Sequence, residues 1–304
     1  MALSLMRISA ARIARPVQVV ARRNFSSSLA SQQSTSTSTT SSINTNPGQD
    51  PNITLYQYAI CPFCHKVKAL LSYVGIQPRN IIEVNPLTKS ELPKGDYRKV
   101  PIAIVDEGQV NGSDDIVRAL LDHKYVESAL NSRWKGGESS GSSSQEKAMT
   151  MDSFRSGENS TKWADFASND LAGLMYPNIC RTLSDSYAAF GYVDNVTTFT
   201  PIQKGMIKGI GTLAMYMAAS KIKKKRNIED EQEALREAIR KWEQEGLDGG
   251  KRSFGSDRSQ PDLGDITVYG TLHSVKGLPA FDMALATSPV VEAWYERMEK
   301  EMKS

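Results

Sequence analysis

Apolar positions change their spacing along the chain. Ile53–Tyr58 is a β-rich run. Val67, Leu70, Leu71 and Val74 then recur at i, i+3, i+4 and i+7, the buried stripe of a helix. That helix is predicted to open at Cys61, with Pro62 at its first position, where a missing N–H costs nothing, and to stop at Gly75. Asn80–Val84 and Pro101–Val105 read as strands, followed by a turn at Asp106–Gln109 and a short fourth strand at Val110. Asn111-Gly112 makes a loop. Ser113 is predicted to cap a second helix, with Asp114 and Asp115 in its first turn and Ile116, Ala119 and Leu120 facing inward.

The order strand, helix, strand, strand, strand, helix is the compact α/β module shared by thioredoxin and glutaredoxin. Beyond it the period is helical only. Gly and Ser crowd Trp134–Ser144, which reads as a linker. Helical patterns then cover Trp163–Leu174, Pro201–Ala219 and Glu229–Glu245, with a break at Gly246–Gln260 and a last pattern starting near Asp262. Asp262 and Asp265 stand in capping-box spacing, so Asp265 should reach back to the Asp262 N–H while Ile266, Val268, Tyr269 and Leu272 bury one face. Trp163, Trp242, Trp294, Met215 and Met217 are expected in the core. The resulting division is a leader over residues 1–50, a thioredoxin-like α/β domain over 51–130, a linker over 131–145 and an all-α domain over 146–304.

Charge changes this picture only at the start of the chain. The net charge of +3 includes Arg7, Arg12, Arg15, Arg22 and Arg23, and residues 1–49 hold no acid, so the remainder carries −2 and offers no basic field for nucleic acid. Arginines alternating with apolar residues, then Ser and Thr, suggest an import peptide, mitochondrial first and plastid second. A disordered basic tail is the alternative reading. Ile202–Ser220 is the longest apolar stretch, but Lys204, Lys208 and three glycines break it, so no membrane span is expected. Peripheral membrane contact stays open. Lys221–Arg226 reads as the solvated, dipole-favoured end of a helix.

Chemistry concentrates at Cys61 and Cys64. A thiol at a helix N-terminus meets unpaired N–H groups and the positive end of the dipole, which favour the thiolate. Cys61 is thus expected to be an exposed nucleophile, and Cys64, one turn in, a shielded partner. Zinc would need a second ligand pair, which Cys180 and three scattered histidines do not offer, so no metal is expected. Covalent haem attachment through Cys61-x-x-Cys64-His65 and two inert structural cysteines are the other readings. Val100-Pro101 suits either a cis bond facing the thiol or an edge-strand proline in trans. Asn111-Gly112-Ser113-Asp114 is either an ordinary helix cap or a carboxylate site, with Asp114 available to an ammonium. Cys180 and His273 draw no role from the sequence.

Longer signatures extend the comparison. Leu55-Tyr56-Gln57-Tyr58 before Cys61-Pro62-Phe63-Cys64, then Glu83-Val84-Asn85-Pro86 and Tyr97-Arg98-Lys99-Val100-Pro101-Ile102, are accompanied by Tyr176-Pro177-Asn178-Ile179, Ala214-Met215-Tyr216 and Ala293-Trp294-Tyr295. Together they resemble the membrane-associated prostaglandin E synthases of type 2 from Leu55 to about Met298. The resemblance implies a glutaredoxin-like domain followed by a glutathione-transferase-type helical domain, in a homodimer. It implies isomerisation of the lipid endoperoxide prostaglandin H2 to prostaglandin E2, with glutathione, and haem beside it, as bound groups. Carried across, Cys61 is the catalytic thiol and Cys64 its partner. Tyr58 and Phe63 line the pocket, Val100 before Pro101 offers its backbone to glutathione, and Gly112-Ser113 holds the γ-glutamyl end. The family often has an acid where Gly112 stands, and Asp114 is the nearest substitute. Animal members carry an apolar N-terminal anchor that this leader lacks. A glutathione-dependent oxidoreductase or transferase, and a non-enzymatic glutathione- and haem-binding module, are the alternative functions.

Overall fold

A computed structural model describes residues 48–136 and 148–303; the leader and most of the expected linker lie outside the described residues. The first half is a four-stranded sheet in the order β2-β1-β3-β4. Its strands are β1 (Ile53–Gln57), β2 (Asn80–Glu83), β3 (Ile102–Val105) and β4 (Gly108–Asn111). β1 pairs parallel with β2 and antiparallel with β3, and β3 pairs antiparallel with β4. A parallel pair needs a crossover, and α1 (Pro62–Val74) supplies it. Gly75 ends α1 with φ 82°, the left-handed conformation that glycine adopts without steric cost. α2 (Ser113–Leu121) follows β4. This is the thioredoxin-type arrangement that the strand and helix order predicts.

Two boundaries differ from the sequence reading. The capping position of α2 is Gly112, at φ 87°, and Ser113 is already helical. Only a residue free of a Cβ takes that backbone angle easily, so glycine rather than the hydroxyl sets where α2 begins. The linker expected from residue 131 starts later, because α3 (Lys124–Gly136) runs through it. Trp134 explains this. It is 5% exposed, its indole N–H donates to the Tyr73 hydroxyl at 3.3 Å, and its ring meets Phe154. Packing outweighs the glycine and serine content that follows.

The second half is helical throughout the described residues: α4 (Met151–Ser156), α5 (Glu158–Phe166), α6 (Ala172–Ile179), α7 (Leu183–Ala189), α8 (Pro201–Met206), α9 (Thr212–Arg226), α10 (Glu231–Lys241), α11 (Leu263–His273), α12 (Pro279–Ala286) and α13 (Pro289–Glu301). π-helical turns at Ala167–Leu171, Ile207–Gly211 and Trp242–Gly246 extend α5, α8 and α10, which is why the helical patterns ran longer than single helices. Trp163, Trp242 and Trp294 meet edge-on with centroids 4.8 and 5.1 Å apart and form the centre of the helical core. Met217, expected in the core, is exposed, and with Ile202, Met206, Ile210 and Leu213 it lies along the outer side of α8 and α9. The basic end of α9 closes on Asn227, with φ 53°, and Lys223 pairs with Glu231. No described helix is long and apolar enough to cross a membrane.

The two halves share one core. α1 packs on α11, and Val67, Leu70 and Leu71 of the first half join Ile266, Val268 and Leu272 of the second in a single buried cluster. At the crossing, the space a Cβ on Gly270 would fill lies 2.7 Å from the His65 carbonyl oxygen. A side chain there would push the two helices apart. The helical half is thereby held against the start of α1.

Candidate active site at the start of the first helix

Cys61 occupies the capping position of α1, in extended backbone at φ −85° and ψ 119°, followed by Pro62. Its carbonyl accepts the His65 N–H at 3.0 Å, the first bond of the helix, and its own N–H donates to the Tyr58 carbonyl at 3.0 Å. The loop before it is pinned from both sides. Glu83 accepts the Ala59 N–H at 2.8 Å and the Gln57 amide at 3.1 Å, and the His65 imidazole lies 2.7 Å from the Ala59 carbonyl. The sulfur therefore sits on a fixed platform at the end of β1.

No side-chain hydrogen bond closes this helix end. The Cys64 thiol donates towards the Cys61 sulfur and is the chief cause of its lowered pKa. Burial opposes it, and the N–H groups of Cys64 and Phe63 and the Tyr176 hydroxyl add to the lowering. Burial, with the neighbouring sulfur, pushes Cys64 well up. The pair is therefore divided as the helix position predicts, with an acidic outer thiol and a neutral inner one. The expected exposure of Cys61 is not found. Cys61 is 3% exposed. The reason is Tyr176, brought over the sulfur by α6 of the helical half, which a reading of one domain at a time does not reveal.

Tyr58 and Val100 pack in the same cluster with Val84, Leu92, Ile102, Tyr56 and Tyr97. Burial raises the Tyr58 phenol to about 12, with the two thiols adding to it, so Tyr58 remains a neutral hydroxyl beside them. Phe63 is 36% exposed on the outer side of α1. The Val100-Pro101 bond is cis. The Pro101 carbonyl accepts the Gly112 N–H at 2.9 Å, which ties the proline turn to the start of α2. Among the described residues the Val100 backbone makes no hydrogen bond, leaving a donor and an acceptor free for an added strand. The Ser113 hydroxyl is likewise without a partner among the described residues, although the residue is only 7% exposed. Asp114 is 70% exposed and pairs with Lys66, which also donates to Ser168 at 3.2 Å. Its charge is thus already shared before any ammonium arrives.

Three tyrosines complete the site without having been singled out for a role. Tyr176 turns its hydroxyl on Cys61, and its own pKa is well raised, by burial first and the thiols next. Tyr97 places its hydroxyl 3.4 Å from where a Cβ on Gly112 would stand, and both thiols act on it electrostatically, linking the Gly112 turn to the sulfur. Tyr192, from the turn Phe190–Asn195, is also held neutral by burial and by Glu83. Tyr176 and Tyr97 do lie within quoted signatures, so a signal existed; Tyr192 had none. Each of the three imidazoles has a polar neighbour. His65 is committed to the Ala59 carbonyl, with the Lys68 ammonium 3.0 Å away. His123 is 2% exposed between Asp106 and the Tyr125 N–H, and His273 bonds Tyr295 at 2.6 Å.

Comparison with known proteins matches this architecture. Residues 55–129 fit the family profile of the glutathione S-transferase N-terminal domain, and residues 226–297 fit that of its C-terminal domain. Prostaglandin E synthase 2 of Mus musculus is 30% identical over 283 residues, 82% of this chain and 70% of the relative. That of Danio rerio is 32% identical over 273 residues, 83% and 71% of the two chains. Among solved structures, a glutathione S-transferase from Sinorhizobium meliloti 1021 superposes with a TM-score of 0.50 at 14% identity, covering 82% of this chain and 88% of that one, a likeness of fold.

Proposed function

We propose a function from one premise: the chain belongs to the prostaglandin E synthase 2 family. It is a glutathione-binding thiol isomerase that converts the endoperoxide prostaglandin H2 to prostaglandin E2. The observation that carries this reading is the buried, acidic Cys61 sulfur under the neutral Tyr176 hydroxyl. The free Val100 backbone and the unpaired Ser113 hydroxyl fit the cysteine and γ-glutamyl parts of glutathione, and the exposed Asp114 carboxylate stands near the place of its ammonium.

Isomerisation needs no oxidant. The Cys61 thiolate attacks the oxygen on the carbon that becomes the ketone, and the O–O pair leaves on the other oxygen, which takes a proton from Tyr176 and becomes the hydroxyl. The carbon then gives its proton to the tyrosinate, the C–H pair becomes the ketone π bond, and the S–O pair returns to the sulfur. Tyr176 is placed to give and recover that proton, because its raised pKa keeps it protonated. Phe190 and Val193, packed with Tyr192 and Leu87, offer an apolar wall for the fatty chains. The family also implies a homodimer, for which the exposed apolar side of α8 and α9 supplies an unpartnered face.

A second reading rests on the contact between the two thiols. Cys61 attacks a glutathione mixed disulfide and Cys64 resolves it, as in a glutathione-dependent oxidoreductase. Purified protein given the endoperoxide should yield the E-type ketone, and Cys61→Ser should lower the rate by about a hundredfold or more with an unchanged circular dichroism spectrum. An unchanged rate refutes the role of Cys61. Disulfide reduction by glutathione with no ketone formed selects the second reading.

A further inference from the structure

A cavity of about 240 Å³ lies on the flank of α1, against α11 and β2, and none of the nine residues predicted for the thiol site lines it. Two cationic or donor groups face it. Lys68, half-buried, lines its wall, and among the described residues no carboxylate comes within 4.0 Å of its ammonium. Its near neighbour is the His65 Nε2, at 3.0 Å. That same nitrogen lies 2.7 Å from the Ala59 carbonyl oxygen, which can only accept. Nε2 must therefore carry the hydrogen and donate it to Ala59, and it cannot also accept from Lys68. The half-buried ammonium is left facing the cavity without an acceptor.

His273, on α11, is the second group. Its Nδ1 is 2.6 Å from the Tyr295 hydroxyl. A hydroxyl can donate to Nδ1 or accept from it, and in the tautomer with the hydrogen on Nε2 the imidazole donates into the cavity. Among the described residues its Nε2 has no hydrogen-bond partner. The rest of the lining is apolar, chiefly Leu71, Ile76, Pro78, Ile81 and Met302. Ile81 is 51% exposed at the edge strand β2, an apolar side chain left open to water at the cavity's rim. A volume of 240 Å³ falls below the roughly 300–1,000 Å³ of drug-sized sites, so the occupant is small.

We propose that this cavity binds a medium-chain monocarboxylate, its carboxylate between Lys68 and His273 and its alkyl chain along Leu71, Ile76 and Ile81. The site is separate from the thiol centre, and its test reads binding alone, so it stands or fails independently of the proposed isomerase activity. The probe is octanoate, titrated calorimetrically into the full chain with and without saturating glutathione. Binding should be unaffected by glutathione, should weaken at least about tenfold in Lys68→Met, and should recover in Lys68→Arg. Octanol and inorganic phosphate should each bind at least about tenfold more weakly than octanoate. Equal binding by octanol or phosphate, equal binding to Lys68→Met, or displacement by glutathione overturns the proposal. Should Lys68→Met not fold, Ile81→Asp, at an exposed position, places a like charge at the mouth; octanoate affinity should fall, and an unchanged affinity overturns the proposal equally.

Discussion

The starts of α1 and α11 face the same physical problem and resolve it in opposite ways. Each helix begins with N–H groups that have no partner within the helix and with the positive end of its dipole. At α11 that end is closed twice over. Asp262 accepts the Asp265 N–H at 3.1 Å, and Asp265 accepts the Asp262 N–H at 3.3 Å. Asp265, fully buried, also takes the N–H groups of Gly255 at 2.8 Å and Ser256 at 3.1 Å and the Trp294 indole N–H at 3.0 Å. At α1 the capping residue is Cys61, with no side-chain bond to the helix. The lesson is that an identical local field becomes structure when carboxylates satisfy it and chemistry when a sulfur is left beside it. The closed end stabilises the interface that supports the open one.

The largest effect expected from this contrast is at Asp265. Asp265→Ala strips four donors of their acceptor inside the core and should cost about 3–5 kcal/mol in a denaturant titration. A loss below about 1 kcal/mol would mean that the closed end is ornamental and the contrast false. Next comes the proton shared by the pair. Burial first, then Asp265, raises Asp262 to about 8. A raised carboxylate contributes stability that is complete below its ordinary pKa and is lost as pH climbs through the folded value. Stability should therefore fall by about 1 kcal/mol per pH unit between about pH 4 and 8 and level off above 8. Asp262→Asn, which still caps, should remove that slope between about pH 4 and 8. A slope that persists in the variant assigns it to other groups.

How much of this was legible in the sequence divides along the same line. The Asp262–Asp265 box was readable because both partners lie within one turn, and the alternation of apolar positions located β1, α1 and the buried face of α11. The cis Val100-Pro101 bond and the Cys61–Cys64 division followed from local chemistry. What failed to show was whatever one half contributes to the other. Cys61 was expected to be exposed because nothing near it in sequence announces Tyr176, more than a hundred positions away. His273 drew no role because its neighbours His65 and Lys68 on α1 and Tyr295 on α13 come from two other helices. Trp134 was assigned to a linker since composition registers the glycines beside it and not the aromatic pocket that it fills.

Tyr176 gives the third test, because it is the helical half's contribution to the open end. Tyr176→Phe removes one hydroxyl donor from the sulfur, a loss of about 1 kcal/mol. The pH midpoint of Cys61 alkylation by iodoacetamide should rise by somewhat less than about one pH unit, while unfolding stability moves little. A midpoint that stays fixed would show that the Cys64 thiol and the Phe63 and Cys64 N–H groups suffice, and that the second half only covers the site.

The smallest expected effect is the most direct probe of the contrast. Cys61 already has the extended backbone of a capping residue, and Pro62 follows it at the favoured first position. The N–H groups of Phe63 and Cys64 that act on its sulfur are those a capping hydroxyl accepts. Cys61→Ser should thus stabilise the fold by about 0.5–1 kcal/mol while abolishing the thiol chemistry. A gain of that size, read as a small rise in unfolding midpoint, means that the native chain forgoes stability at α1 that it secures at α11. A loss instead would mean that the contacts of the sulfur with Cys64 and Tyr176 outweigh a hydroxyl cap, and the end of α1 would then be closed by sulfur rather than open.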